Sequence, residues 1–169
     1  MRYQHFCLFI LMLFTMSCSN AQIKSPVFGA TVEGLLSGTV DTISVSHLAQ
    51  TIGQDSMVIL DAREKREYEV SHIEGAIWVG YDDFNLSRLD SVDTSMSVVV
   101  YCSVGYRSEK IGERLYEAGY QDVTNLYGGI FEWVNQGGDV YNNKGKTKDV
   151  HGYDEKWSKF LSKGNVVIE

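Results

Sequence analysis

The pattern of apolar residues predicts alternating short strands and helices from residue 41 onward. Runs rich in Val and Ile, without regular polar alternation, are typical of strands covered on both faces. The predicted strands span residues 43–45, 57–60, 76–79, 97–101 and 122–125. The predicted helices span residues 46–52, with Ser46 as N-cap, 81–89, 108–118 and 130–135. This order favours an α/β fold with a central, mostly parallel five-stranded sheet and helices on both faces.

The N-terminus carries a different pattern, an unbroken apolar run at residues 6–14 that follows Arg2. It is shorter than the roughly 20 residues that cross a bilayer as a helix, and it lacks the polar face of a core helix. We therefore expect a secretory signal peptide over residues 1–17. The stretch that ends in Ser17 and Cys18 resembles a bacterial lipoprotein signal, although Thr15 and Met16 depart from the usual pattern; simple secretion is the alternative.

The resulting organisation is a signal peptide over residues 1–17, a lipid tether and N-terminal segment over 18–40, one domain over 41–141 and a C-terminal tail over 142–169 with a short helix. We expect an exported protein at the periplasmic face of a bacterial membrane, anchored by a lipid on Cys18. Packing of the tail against the domain is favoured over partner binding because exposed Trp and Phe are costly.

Composition narrows the possible partners and cofactors. The 169 residues carry a net charge of -7, which argues against nucleic acid as the main partner. We expect no cofactor and no metal site, because no Cys-x-x-Cys or His-x-x-x-His pair occurs. Of the three cysteines, Cys7 leaves with the signal peptide and Cys18 takes the lipid, so Cys102 remains as the free thiol.

Cys102 directly follows the predicted strand SVVVY and precedes a helix start at Ser108. Ligands bind at the carboxyl ends of parallel strands, and a loop wrapped onto a helix N-terminus turns backbone N–H groups toward one point. Gly105 allows the loop to curl tightly, and Arg107 adds positive charge. The backbone N–H groups and this charge together favour the nucleophilic thiolate over the thiol. The alternative is a core cysteine, which is common but requires neither the glycine nor the arginine.

The motif CSVGYRS at residues 102–108 resembles the active loop of a single rhodanese domain. Three further stretches support the resemblance: VILDAR at 58–63, HIEGA at 72–76, and LYGG at 126–129 followed by Trp133. Ser71 and Glu74 depart from the family's usual Gly and Pro. The resemblance covers residues 41 to 141 and implies catalysis by Cys102 and substrate binding by the rest of the loop, namely Ser103, Val104, Gly105, Tyr106, Arg107 and Ser108. Asp61 and Arg63 are expected to support that loop by charge-assisted hydrogen bonds.

The resemblance also implies a reaction, the transfer of sulfane sulfur through a persulfide on Cys102. The expected donor is a small sulfur compound such as thiosulfate, and the expected acceptor is a thiol, cyanide or a protein. Four residues separate Cys102 from Arg107, whereas cysteine phosphatases and arsenate reductases have five, so these enzymes rank lower. The other alternative is a rhodanese-like binding or sulfur-sensing module with little turnover, which would dock through its tail.

Overall fold

The computed structural model describes residues 23–54 and 56–168. The predicted signal peptide and the lipid anchor on Cys18 therefore lie outside the described residues. Within the described ranges, the helices are all too short or too polar to cross a bilayer.

Five parallel strands form the central sheet, which confirms the predicted α/β architecture. In chain order they are β1 (Thr42–Ile43), β2 (Met57–Asp61), β3 (Ile77–Trp78), β4 (Ser97–Tyr101) and β5 (Asp122–Leu126). Their order across the sheet is β1-β5-β4-β2-β3, so β4 lies in the middle. Because β4 is covered on both faces, its run of apolar residues carries no polar alternation.

Helices cover both faces of the sheet, and successive residues of β4 point to opposite sides. Val99 and Tyr101 pack in one apolar cluster, while Val98 and Val100 pack in the other. The helices are α1 (Pro26–Leu35), α2 (Val45–Thr51), α3 (Lys65–Val70), α4 (Tyr106–Glu117) and α5 (Gly129–Asn135). The buried residues of α1, α2 and α5 belong to the first cluster, and the apolar face of α4 belongs to the second.

Several predicted elements differ from the structure; helix α4, for example, begins at Tyr106 rather than at Ser108. The N-cap of α2 is Ser44 rather than Ser46, since the Ser44 hydroxyl accepts a hydrogen bond from the backbone N–H of His47 at 3.2 Å. The helix predicted over residues 81–89 is wrong: only a 3₁₀ turn, Leu86–Leu89, forms there. Arg88 ties this turn down by donating to the carbonyl oxygens of Val79 and Asp83 at 2.6 and 3.1 Å.

Helices α1 and α3 were absent from the sequence prediction. Helix α1 begins with Ser25, whose hydroxyl accepts from the N–H of Phe28, and with Pro26 in the first turn. Helix α3 is only six residues long and begins with a capping box formed by Glu64 and Glu67. Its single buried residue is Glu67, so no apolar face marks it in the sequence.

The described part of the C-terminal tail contains four short strands in addition to a short helix. Strand β6 (Val140–Asn142) pairs antiparallel with β7 (Gly145–Thr147), and β8 (Asp149–His151) pairs parallel with β9 (Asn165–Val167). Within residues 153–162 the only helical piece described is the 3₁₀ turn Ser158–Phe160. The ring of Phe160 stacks on Phe28 of α1 at a centroid distance of 4.9 Å. Trp157, Phe160 and Leu161 pack against the first apolar cluster of the core, so the tail packs against the domain as expected.

Candidate active site

Cys102 lies at the carboxyl end of β4, at the base of a cavity of about 380 Å³. Its side chain is almost fully buried, yet it contributes to the cavity lining. The backbone N–H of Gly105 donates to the Cys102 Sγ at 3.1 Å. Gly105 has a φ of 121°, a conformation that residues with a Cβ rarely adopt. The glycine therefore allows the loop to curl back over the sulfur.

The start of α5 holds the other side of this loop. Backbone N–H groups of Ile130 and Phe131 donate to the carbonyl oxygens of Cys102 and Ser103 at 2.9 and 3.2 Å. A Cβ added at Gly129 would overlap the Cys102 carbonyl oxygen, so only glycine permits this approach. The sequence identifies the glycine pair as part of a family motif but does not predict its contact with the active loop.

Glu67 organises the loop through hydrogen bonds, and sequence reasoning did not identify it. Arg107 donates to both carboxylate oxygens of Glu67 at 2.7 and 2.8 Å, and the Ser103 hydroxyl donates to Oε1 at 3.0 Å. Arg107 also donates to the Ser103 Oγ at 3.0 Å. These contacts join both ends of the loop to α3. The polar stretch KREYEV gives no sequence signal for them beyond the glutamate that completes the capping box.

The charges and hydrogen bonds around Glu67 and Arg107 keep both side chains ionised. Burial alone would raise the pKa of Glu67, but hydrogen bonds and charge from Arg107, with the charge of Arg63, outweigh burial and lower it to about 2. Burial would lower the pKa of Arg107, whereas its hydrogen bonds to Glu67 and its electrostatic interactions with Cys102 and Glu67 raise that pKa above its usual range. Arg107 is therefore a permanent cation beside the sulfur.

Asp61 and Arg63 form a second ion pair that is fully buried, with Nη2 and Oδ2 2.6 Å apart. The Tyr101 hydroxyl donates to Asp61 at 2.6 Å, and Arg63 donates to the Ser71 carbonyl oxygen at 2.6 Å. In the described residues, the hydrogen bonds of these two side chains go to each other, Tyr101 and Ser71 rather than to the loop. Direct bracing of the loop by this pair is therefore a wrong prediction, because Glu67 occupies that position.

Ser108 also differs from its predicted role. Its hydroxyl is buried and lies 3.1 Å from the Gly105 carbonyl oxygen and 2.7 Å from the Asn125 Oδ1. Asn125 in turn donates to the Gly105 carbonyl oxygen at 2.9 Å. Ser108 is not among the described residues that line the cavity, so it fastens the loop to β5 instead of facing a substrate.

The cavity has a mixed lining. Four of the loop residues that the resemblance assigned to substrate binding line it, namely Ser103, Val104, Tyr106 and Arg107. The other lining residues come from outside the loop: Leu35, Glu64, Arg66, Tyr81, Asp82, Tyr153 and Trp157. Among residues 23–54 and 56–168, His, Cys, Asp and Glu side chains form no group of three or more that could hold a metal ion.

Comparison with protein families gives a match to the model of the rhodanese-like domain over residues 44–136. This range contains Cys102, Glu67 and both ion pairs but excludes α1 and residues 137–169. A tRNA uridine(34) hydroxylase from Cytophaga hutchinsonii is 31% identical over 97 residues, which cover 54% of this chain and 31% of that protein. The corresponding protein of Staphylococcus aureus is 32% identical over 93 residues, covering 52% and 29%. The chain thus spans about a third of the length of these relatives.

Solved structures share the fold. The rhodanese-like domain of an Anabaena protein superposes with a TM-score of 0.55 at 26% identity, covering 60% of this chain and 78% of that one. A thiosulfate sulfurtransferase from Pseudomonas aeruginosa gives a TM-score of 0.57 at 24% identity, covering 83% of this chain and 27% of that one. The second likeness concerns the fold alone.

Proposed function

Because the chain belongs to the rhodanese-like domain family, we propose that it is a sulfurtransferase that carries sulfane sulfur as a persulfide on Cys102. The observation that carries this proposal is the position of the Cys102 Sγ: it lies at the base of a cavity and accepts a hydrogen bond from the Gly105 N–H. A core cysteine would need neither the cavity nor the curled loop.

The proposed reaction has two steps. In the first, the Cys102 thiolate attacks the outer sulfur of thiosulfate; the S–S bond of the donor breaks, and its electron pair leaves with sulfite. In the second, cyanide or a thiolate attacks the terminal sulfur of the Cys102 persulfide and restores the thiolate. The permanent charge of Arg107 and the Gly105 N–H would stabilise the anionic sulfur in both states.

The short loop and the pairing of Arg107 with a carboxylate support sulfur chemistry over phosphate chemistry. Arg107 is held by Glu67 through two hydrogen bonds, so its guanidinium is already engaged with a carboxylate. A phosphatase would need such an arginine to bind a tetrahedral oxyanion. The packing of Phe160 on Phe28 of α1, and of Trp157 and Phe160 against the apolar core, also weighs against a module that docks through its tail.

The test is a thiosulfate and cyanide assay on the purified full chain. We expect thiocyanate to form with the wild-type protein and to be absent with Cys102→Ser, which keeps the side-chain volume nearly unchanged. Thiocyanate formation by the serine variant at the wild-type rate would overturn the proposed mechanism.

We further propose export and anchoring by a lipid on Cys18, with a small sulfur donor, a thiol or protein acceptor and no nucleic-acid partner. The support is the sequence of the first 18 residues and the net charge of -7. The hydroxylase name belongs to relatives that this chain matches over about a third of their length. Fractionation of bacteria producing the wild type and Cys18→Ala tests the anchor: the wild type should be found with membranes and the variant should not.

A further inference from the structure

Three side chains of the cavity wall come from segments outside the family match. Leu35 belongs to α1, and Tyr153 and Trp157 belong to the loop between β8 and β9. The family match ends at residue 136 and begins at residue 44. The two extensions therefore meet over Cys102 and add an apolar and aromatic wall to the cavity; we call Leu35, Tyr153 and Trp157 the outer wall.

The outer wall is held in place by packing between the two extensions. Phe160 stacks on Phe28 and lies 5.8 Å, centroid to centroid, from the ring of Trp157. The chain after α1 is tied to α4, because backbone N–H groups of residues 37–39 donate to the buried Glu109 carboxylate at 2.7 to 3.3 Å. These contacts give the wall a defined position beside the cysteine loop.

Tyr153 has the most unusual conformation in the wall. Its φ of 66° lies in the left-handed region, which is unfavourable for a residue with a Cβ. The conformation places the Tyr153 ring beside the Arg107 guanidinium, 5.0 Å from the guanidinium carbon to the ring centroid. Its backbone N–H donates to the His151 Nδ1 at 3.0 Å. Tyr153 thus links the extension directly to the loop residue that supports the sulfur.

The size and charge of the cavity leave room for a sulfur donor that is larger and less charged than thiosulfate. A volume of about 380 Å³ is within the range of sites that hold whole organic ligands. The described lining residues include two arginines, Arg66 and Arg107, and two carboxylates, Glu64 and Asp82; Arg107 is also paired with Glu67. The lining therefore offers no excess of positive charge for a dianion such as thiosulfate.

We propose that the outer wall is a binding subsite for the apolar or aromatic carrier group of an organic sulfur donor. This inference rests on the proposed function and names its substrate class: a donor with one negative charge or none, whose sulfane sulfur reaches Cys102 while its carrier contacts Tyr153 and Trp157. For a persulfide donor RSSH, the Cys102 thiolate attacks the outer sulfur. The donor S–S bond breaks, its electron pair leaves on RS⁻, and the new persulfide keeps the proton.

The test uses two donors with the same reacting group, benzenethiosulfonate and methanethiosulfonate, with cyanide as acceptor. Each gives up its outer sulfur and leaves as a sulfinate, so the ratio of their kcat/KM values measures only the contribution of the carrier. We expect the wild type to prefer the benzene donor by about 10-fold, relative to the intrinsic ratio measured with a small thiol in solution.

The variants Tyr153→Gly and Trp157→Leu should each lower this preference to about 3-fold or less. Glycine suits the left-handed conformation of residue 153, so Tyr153→Gly removes the ring without adding backbone strain. Tyr153→Phe should keep the preference because it keeps the ring. Tyr116→Ala removes a tyrosine of similar exposure on α4 that does not line the described cavity, and its preference should equal that of the wild type.

A second measurement separates the subsite from turnover. Cys102→Ser protein is titrated calorimetrically with benzenesulfinate and methanesulfinate, and only the benzene compound should bind measurably, with loss of binding on adding Tyr153→Gly. An unchanged donor preference in both wall variants, or equal binding of the two sulfinates, would overturn the subsite and leave the sulfurtransferase proposal intact. Absence of a Cys102 persulfide with every donor would instead overturn the proposed function.

Discussion

Two buried pairs of arginine and carboxylate lie in the same part of the fold and have different surroundings. The Asp61–Arg63 pair is fully buried and bonds to Tyr101 and to the Ser71 backbone. The Glu67–Arg107 pair bonds to Ser103, and its arginine lines the cavity with 12% of its side chain exposed. The first pair holds the end of β2 against β4 and the following turn, whereas the second shapes the cysteine loop.

This difference shows that a residue's place in a family motif does not decide whether it supports the fold or the cysteine loop. Asp61 and Arg63 stand in a sequence stretch that resembles a family motif, and Glu67 stands in none of the motifs considered. Yet it is Glu67 that reaches both Ser103 and Arg107. We therefore expect that disrupting the Asp61–Arg63 pair mainly lowers stability and that disrupting the Glu67–Arg107 pair mainly lowers activity.

The largest expected effect is the loss of stability in Asp61→Asn. Removing one charge from a buried pair leaves the Arg63 cation uncompensated, which costs about 3–5 kcal/mol. Chemical denaturation should show this loss, while sulfur transfer per folded molecule stays near the wild-type level. Asp83→Asn is the matched control, because Asp83 pairs with Arg88 at the surface and should cost less than about 1 kcal/mol.

Glu67→Gln should have the opposite profile. Its stability loss should be smaller, about 1–3 kcal/mol, because the partly exposed Arg107 can turn toward solvent. Sulfur transfer should fall on the order of 100-fold, since misplacement of a catalytic loop is costly. Glu69→Gln on the same helix, which pairs with exposed Lys65, should leave the rate unchanged. A Glu67→Gln variant with full activity would remove the distinction between the two pairs.

The stability that Glu67 contributes should depend on pH in one direction. Its pKa is lowered from 4.5 to about 2 in the folded protein, so the contribution is complete above pH 4.5 and is lost as pH falls toward 2. The difference in free energy of unfolding between wild type and Glu67→Gln should thus be constant above about pH 5 and shrink below pH 4.5. Urea denaturation across this range checks it. A difference that grows on acidification would contradict the assignment.

Ser108→Ala has the smallest expected effect. It removes the hydroxyl that fastens the loop to Asn125, which costs about 1 kcal/mol of stability. The rate of sulfur transfer should change by less than about 3-fold, since Ser108 does not line the described cavity. Ser103→Ala is the informative comparison, because the Ser103 hydroxyl contacts Glu67 and Arg107 and should affect the rate more than stability.

The sequence predicted an element correctly where its local pattern of apolar residues reflects its burial in the fold. The run SVVVY predicts β4 to the residue, because a strand buried on both faces is apolar throughout. Helix α3 was missed because its buried residue is a carboxylate whose partners, Ser103 and Arg107, lie 36 and 40 positions away. Long-range ion pairs leave no periodic signal in the chain.

The N-terminal helix and the tail show two other reasons why the sequence prediction was incomplete. Ser25 and Pro26 are standard start signals for α1, and they were available in the sequence. The conformation of Tyr153 could not be predicted from the sequence, because a tyrosine rarely adopts a positive φ. Such a conformation is set by the packing of β8 and β9 and of the aromatic residues between them.

The persulfide on Cys102 is tested by measuring the mass of the protein after incubation with thiosulfate alone. We expect a gain of about 32 Da on the peptide that contains Cys102, and loss of this sulfur as thiocyanate when cyanide is added. The Cys102→Ser protein should show no gain. An unchanged wild-type mass with every sulfur donor, or an equal gain in the serine variant, would contradict a persulfide on Cys102.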